Sequence, residues 1–146
     1  MIKDPLNGKK ILLGVTGCIA AYKSCLIVRE LVKRGGQVKV VMTSSALEFI
    51  TPLTLSTLSQ NDVIVKTFPE NQSDGTNLKT WHIDYALWAD IMLIAPATIN
   101  TIAKIAYGFA DNALTTLVTA LRSPLLIAHR TTMMNSSQLT WGTVPV

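Results

Sequence analysis

Residues 10–42 read KILLGVTGCIAAYKSCLIVRELVKRGGQVKVVM, and their order decides the fold. Lys10–Val15 is a short run rich in Ile, Leu and Val, and its end opens Gly14-Val15-Thr16-Gly17. Ala20, Ile27, Val28 and Leu31 then recur on one side, with Arg29, Glu30, Lys33 and Arg34 opposite. That spacing predicts an amphipathic helix over Ile19–Gly35. Gly35-Gly36 stops it, and Val38–Met42 reads as a second buried strand. A strand–helix–strand unit of this length joins two parallel strands through a right-handed crossover.

Outward from this unit the pattern repeats. Ser44–Ile50 reads as a short helix limited by Pro52, Thr54–Ser59 as another helical turn or two, and Val63–Val65 as a short strand. Thr67–Thr80 is polar, carries Pro69 and Gly75, and reads as a mobile loop. Ile91–Ala95 and Leu125–Ala128 are apolar strands, and Ile99–Ala106 and Asn112–Leu121 have helical spacing. Near-continuous apolar strands alternating with helices predict an α/β fold: a three-layer, doubly wound parallel sheet. No linker or repeat divides the chain, so residues 1–146 are expected to form one domain, with 129–146 as an irregular tail.

Composition narrows the class. Of 146 residues, 49% are hydrophobic and 15% charged, which excludes a disordered chain. No run approaches the ~20 apolar residues of a membrane span, since Asp90 and Arg122 interrupt the best candidates. Val15-Thr16-Gly17-Cys18 looks like a lipoprotein cleavage box, but Cys18 leads straight into a helix instead of a polar tether, so a cytoplasmic location is expected. Cys18 and Cys25 fall on one helix about two turns apart, ~10 Å between α-carbons, too far for a disulfide. Residues 1–39 carry eight basic and two acidic side chains. They lack interleaved aromatics, so a solvated face is expected and no nucleic-acid partner.

In an open parallel sheet, ligands bind beyond the carboxyl ends of the strands. Three such ends are rich in small and hydroxylated residues: Gly14–Ala21, Thr43–Ser45 and Pro96–Thr101. Strand-to-helix turns use Gly, Ser and Thr for their own sake, so each is ambiguous alone. Together, on one side of one sheet, they favour a phosphorylated cofactor. There is no Gly-x-Gly-x-x-Gly, no acidic residue after the second strand and no lysine-bearing phosphate loop. A mononucleotide such as FMN fits better than a dinucleotide. His82 lies near these loops and suits proton transfer near neutrality, or alternatively caps a helix from the surface. His129 falls in the tail without an obvious partner. Asp111 is expected to cap the helix that begins at Asn112. Trp81 and Trp88 read as packing residues.

Four segments carry a resemblance: KKILLGVTGCIAA (9–21), VMTSSALEFITPLTL (41–55), HIDYALWAD (82–90) and IAPATINTIAKIAYGFADNALTT (94–116). Together they resemble the flavin-dependent cysteine decarboxylases, and most closely those that act on phosphopantothenoylcysteine in coenzyme A biosynthesis. The resemblance implies a flavodoxin-like, Rossmann-like fold, bound FMN, and a homotrimer or a dodecamer of trimers. It places Gly14, Thr16, Gly17, Cys18 and Ile19 in the first cofactor loop, Thr43 and Ser45 in the second, and Ala97, Thr98 and Asn100 against the flavin. It makes His82 the catalytic histidine. The implied reaction is FMN-dependent oxidative decarboxylation of 4′-phosphopantothenoylcysteine to 4′-phosphopantetheine.

After Ala128 the chain departs from the family's Pro-x-Met-Asn-x-x-Met-Trp pattern. The Pro is missing, and the Met-Asn pair is displaced to Met134-Asn135, making Asn135 the candidate for the substrate carboxylate. With the chain ending at Val146, the substrate flap and its cysteine have no counterpart, so a shortened and impaired enzyme is expected. Two alternatives follow: a non-catalytic FMN-binding regulatory or assembly subunit, and a flavin prenyltransferase-like protein. His82-Ile83 and the Pro-Ala-Thr-Ile-Asn-Thr segment argue against the second.

Overall fold

The apolar run at residues 10–15 finds partners on both sides, which makes it the centre of the sheet. The structure is a computed structural model and describes residues 4–68, 80–129 and 140–143. Its strands are β1 (Lys10–Val15), β2 (Gln37–Met42), β3 (Val63–Ile64), β4 (Ile91–Ala97), β5 (Leu125–His129) and β6 (Thr140–Thr143). Its helices are α1 (Lys23–Lys33), α2 (Pro52–Ser59), α3 (Trp81–Trp88), α4 (Ile99–Ala106) and α5 (Ala113–Ala120). Short 3-10 turns cover Ile19–Tyr22 and Ser44–Glu48.

The strand order is β3-β2-β1-β4-β5-β6. The first five are parallel, and β6 runs antiparallel to β5. Order reverses between β1 and β4, which opens a crevice at their carboxyl ends. Strand side chains alternate between two cores. Leu12, Val41, Met92 and Ile94 pack with Trp81 and Tyr85 of α3 and Leu114 and Leu117 of α5. Leu13, Val15, Val40 and Met42 pack with Val28 of α1 and Leu55 of α2. Each fully buried Leu, Ile or Val contributes about 1.5–3 kcal/mol.

Local chemistry explains the helix ends. The Gly35 N–H bonds to the Val32 carbonyl and the Gly36 N–H to that of Leu31, with Gly35 at φ 83°, a left-handed stop that suits glycine. Thr51 and Pro52 start α2, the Thr51 hydroxyl accepting from the Thr54 N–H. Asn112 starts α5 with a reciprocal cap: its Oδ1 accepts from the Thr115 N–H at 3.0 Å, and its own N–H reaches Thr115 Oγ1 at 3.3 Å.

Four expectations need correction. The helix expected over 19–35 is a 3-10 turn followed by α1, and Cys18 stands before the turn with extended backbone. The two cysteines therefore do not share a helix; both thiols are free, and burial pushes that of Cys25 up. Asp111 does not cap α5, because Asn112 does, and the Asp111 carboxylate turns to Lys104 Nζ instead. His129 is not in an irregular tail: it closes β5, whose ladder continues past Ala128 to pair His129 with Ala97. The parallel sheet is found as expected over β1–β5, and the expected tail is not irregular throughout, since 140–143 add an antiparallel strand to that sheet. Most of the loop expected at 67–80 (residues 69–79), and Asn135, lie outside the described residues. Among the described residues, no helix is long and apolar enough to cross a membrane.

Candidate active site

The carboxyl ends of β1, β2 and β4 converge on one rim, and side chains tie their loops together. Thr16, directly after β1, is 1% exposed. Its hydroxyl donates to the Pro96 carbonyl at 2.7 Å and accepts from the Thr98 N–H at 3.0 Å. Its own N–H also reaches the Pro96 carbonyl, at 3.3 Å. The first loop is thus locked to the third. Gly17 locks it to the second: a Cβ there would lie 2.6 Å from the carbonyl carbon and oxygen of Ser45. Only glycine permits that approach. Within the second loop the hydroxyls of Thr43 and Ser45 are 3.1 Å apart.

The rim is neutral and rich in donors. Ser45 and Asn100 are exposed beside it, and no acidic residue falls in 14–20, 43–47 or 96–101. Ile19 and Ile99 are 70% and 63% exposed, at the start of the first 3-10 turn and of α4. Polar donors flanked by exposed apolar side chains suit a ligand with an anionic end and a flat apolar body. Thr98 also starts α4, its hydroxyl accepting from the Thr101 N–H at 3.3 Å. Gly14 stands apart from the loops, inside β1. A Cβ there would meet Leu114 Cδ1 at 2.5 Å and Ile94 Cγ1 at 3.1 Å, so its small size admits α5 to the sheet.

His82 occupies the first turn of α3. That helix runs back from the rim, because Asp90 just beyond its end bonds to Lys10 at the start of β1. His82 is therefore at the carboxyl side of the sheet. Its half-buried ring meets Trp81 edge-on at 5.8 Å, and Trp81 is buried with its Nε1–H donating to the Thr67 carbonyl at 2.7 Å. Trp81 is thus the packing residue that seats His82, and Thr80 occupies the helix-capping position. Sequence reasoning missed His129, whose Nδ1 lies 2.9 Å from the Ala97 carbonyl oxygen. The signal was available: Leu125 and Ile127 share a core, and the same alternation carries His129 to that side.

The family model described as Flavoprotein matches residues 2–141. The chain is 50% identical over 122 residues to the coenzyme A biosynthesis bifunctional protein CoaBC of Borreliella burgdorferi, covering 84% of this chain and 30% of that protein. It is 47% identical over 113 residues to the "Probable phosphopantothenoylcysteine decarboxylase" of Streptococcus mutans, covering 77% and 61% respectively. Among solved structures, the FMN-dependent cysteine decarboxylase SpaF superposes with a TM-score of 0.73 at 30% identity, over 90% of this chain and 72% of that one. The chain spans about a third of the length of the bifunctional relatives it matches.

Proposed function

The chain belongs to the flavoprotein family, and from that premise we propose that it is an FMN-dependent carboxy-lyase. Its substrate is 4′-phosphopantothenoylcysteine and its product 4′-phosphopantetheine, a step of coenzyme A biosynthesis. The observation that carries this reading is the rim itself: three interlocked, neutral, donor-rich loops at the point where strand order reverses. The rim fits FMN by its own chemistry. Gly17 and Ile19 offer backbone N–H groups, that of Cys18 being turned to the Thr16 carbonyl at 3.1 Å, and Thr43 and Ser45 offer hydroxyls, with no carboxylate to repel a phosphate. Ile19 and Ile99 offer apolar surface to the ring, while Ala97, Thr98 and Asn100 face it from the third loop.

The chemistry FMN supplies when bound is an electron-pair sink, without which loss of CO₂ from a cysteine carboxylate leaves an unstabilised carbanion. His82 takes the proton released from the cysteine side chain. The edge of Trp81 holds its ring, and the helix start keeps it at the rim. Asn135 is proposed as the partner of the substrate carboxylate. The relatives' names support the substrate, and two free thiols are in keeping with a cytoplasmic site of action.

The assembly is a homotrimer or a dodecamer of trimers. Supporting this, Tyr22, Leu26 and Leu53 are exposed on the α1–α2 layer and Ile99 and Tyr107 on or beside α4, across the sheet. Two different apolar patches on opposite layers suit head-to-tail contacts that close into a ring.

The test is the purified protein's absorbance and its sedimentation. Flavin bands and a trimer mass or its multiple are expected. A colourless monomer that takes up no added FMN overturns the reading. His82→Asn should keep FMN while CO₂ release from phosphopantothenoylcysteine falls about 10²–10⁴-fold. Unchanged turnover removes His82 from the chemistry.

A further inference from the structure

We propose that Thr16 and His129 are positioning residues that clamp the backbone of Pro96, Ala97 and Thr98 from its two sides, presetting the loop that receives the cofactor. The role in cofactor uptake rests on the FMN reading above; the clamp itself does not. The need for it arises within β4. The β4–β5 register shifts between Ile94 and Ala97, and Pro96 has no N–H to give the ladder. Main-chain pairing therefore holds this stretch only through the Ala97–His129 step of the ladder and a 3.3 Å contact from the Thr16 N–H to Pro96 O. Side chains from the neighbouring strand ends take over.

From the β1 side, Thr16 takes two of the three. A hydroxyl has one hydrogen and two lone pairs. The hydrogen goes to Pro96 O, and one lone pair receives the Thr98 N–H. Buried as it is, this hydroxyl cannot donate to a ligand without abandoning Pro96, so it acts through the loop. From the β5 side, His129 takes the third residue. A carbonyl oxygen only accepts, so the 2.9 Å contact to Ala97 O requires the hydrogen on Nδ1. Three consecutive residues are thus fixed by two side chains, one from β1 and one from β5. A loop fixed in advance avoids the ordering cost that binding otherwise carries.

Two readouts test the proposal on the full-length protein. The first needs no cofactor: hydrogen exchange at the Thr98 amide, followed by NMR. Protection is expected in the unaltered chain and in Thr16→Ser, with loss in Thr16→Val. The second is FMN uptake, read by flavin fluorescence quenching and by the shape of the flavin absorption band at saturation. Thr16→Val and His129→Ala should each weaken uptake about tenfold and alter the band. Thr16→Ser should restore both. His129→Asn places its amide nitrogen near Nδ1 and should also restore them, whereas His129→Gln should not. Should Thr16→Val fail to fold, the His129 series decides alone. Wild-type uptake and an unaltered band in His129→Ala overturn the cofactor role. Equal Thr98 exchange with and without the Thr16 hydroxyl overturns the clamp. A chain that takes up no FMN but shows the exchange difference rejects the cofactor reading and keeps the clamp.

Discussion

Two side chains stitch β1 to β4, one at each rim of the sheet, and each bridges eighty residues of chain. At the amino rim, the Asp90 carboxylate accepts from the Lys10 N–H at 2.9 Å in an exposed position. At the carboxyl rim, the Thr16 hydroxyl holds Pro96 and Thr98 from a buried one. The topological task is the same, but the chemistry differs. Water competes for the exposed carboxylate's partner, so the amino-rim stitch fixes little. The buried hydroxyl's partners have no solvent to turn to, so the carboxyl-rim stitch locks its loops. A neutral group also leaves no charge to repel a phosphate. The rim proposed to carry the chemistry is therefore stitched with the stronger and electrically silent thread.

The sharpest way to break this contrast is thermal unfolding of Thr16→Val beside Asp90→Ala. The first leaves buried backbone groups unsatisfied and should cost about 1–3 kcal/mol; the second should cost about 0.5–1 kcal/mol. Equal losses would mean that burial does not separate the rims.

A narrower comparison sits within the carboxyl side. Gly17→Ala meets the backbone of Ser45 and should part the first two loops, weakening FMN uptake about tenfold. Gly14→Ala meets chiefly the far end of the Leu114 side chain, which can rotate, so uptake should change less than about threefold. Titration of FMN against both variants checks the ranking, and a reversed order would place the phosphate cradle elsewhere.

The smallest effect belongs to the exposed Lys104–Asp111 pair beyond α4. A hydrogen bond from Lys104 holds the Asp111 carboxyl below its ordinary range. Its stabilisation is complete above the unfolded pKa of about 3.9 and fades as pH falls through the lower folded value. Asp111→Asn should leave the melting temperature near neutrality almost unchanged and flatten its decline below about pH 4. Acid melts of both proteins that run parallel would remove this pair from the stability ledger.

What was legible in the chain follows from periodicity. Lys10–Val15 and Ile99–Ala106 are found with the bounds expected for them, because their apolar spacing matches one element type and the flanking residues punctuate it. The Asn112-x-x-Thr115 cap was readable too, but Asp111 is as good a capping residue in isolation, and its capture by Lys104 depends on how α4 ends. The same limit applies at the site. Gly, Ser and Thr at three strand ends announce a binding rim, yet nothing near Thr16 shows that its hydroxyl's partners lie eighty residues onward. His129 was hidden for another reason: an unfamiliar sequence after Ala128 suggested a tail, although the alternation of Leu125 and Ile127 runs on to it and the ladder to Ala97 extends the strand.

The outermost strands have a bearing on self-association. A long unpaired strand offers its free N–H and C=O groups as a template for another chain, and apolar runs such as Leu125–Ala128 are the hazardous case. Here that run is flanked by β4 on one side and β6 on the other, while the sheet's outer positions fall to β3, with two residues, and β6, with four. The most adhesive backbone among the described residues is therefore kept from its neighbours, and the proposed association is left to side chains on the helical layers.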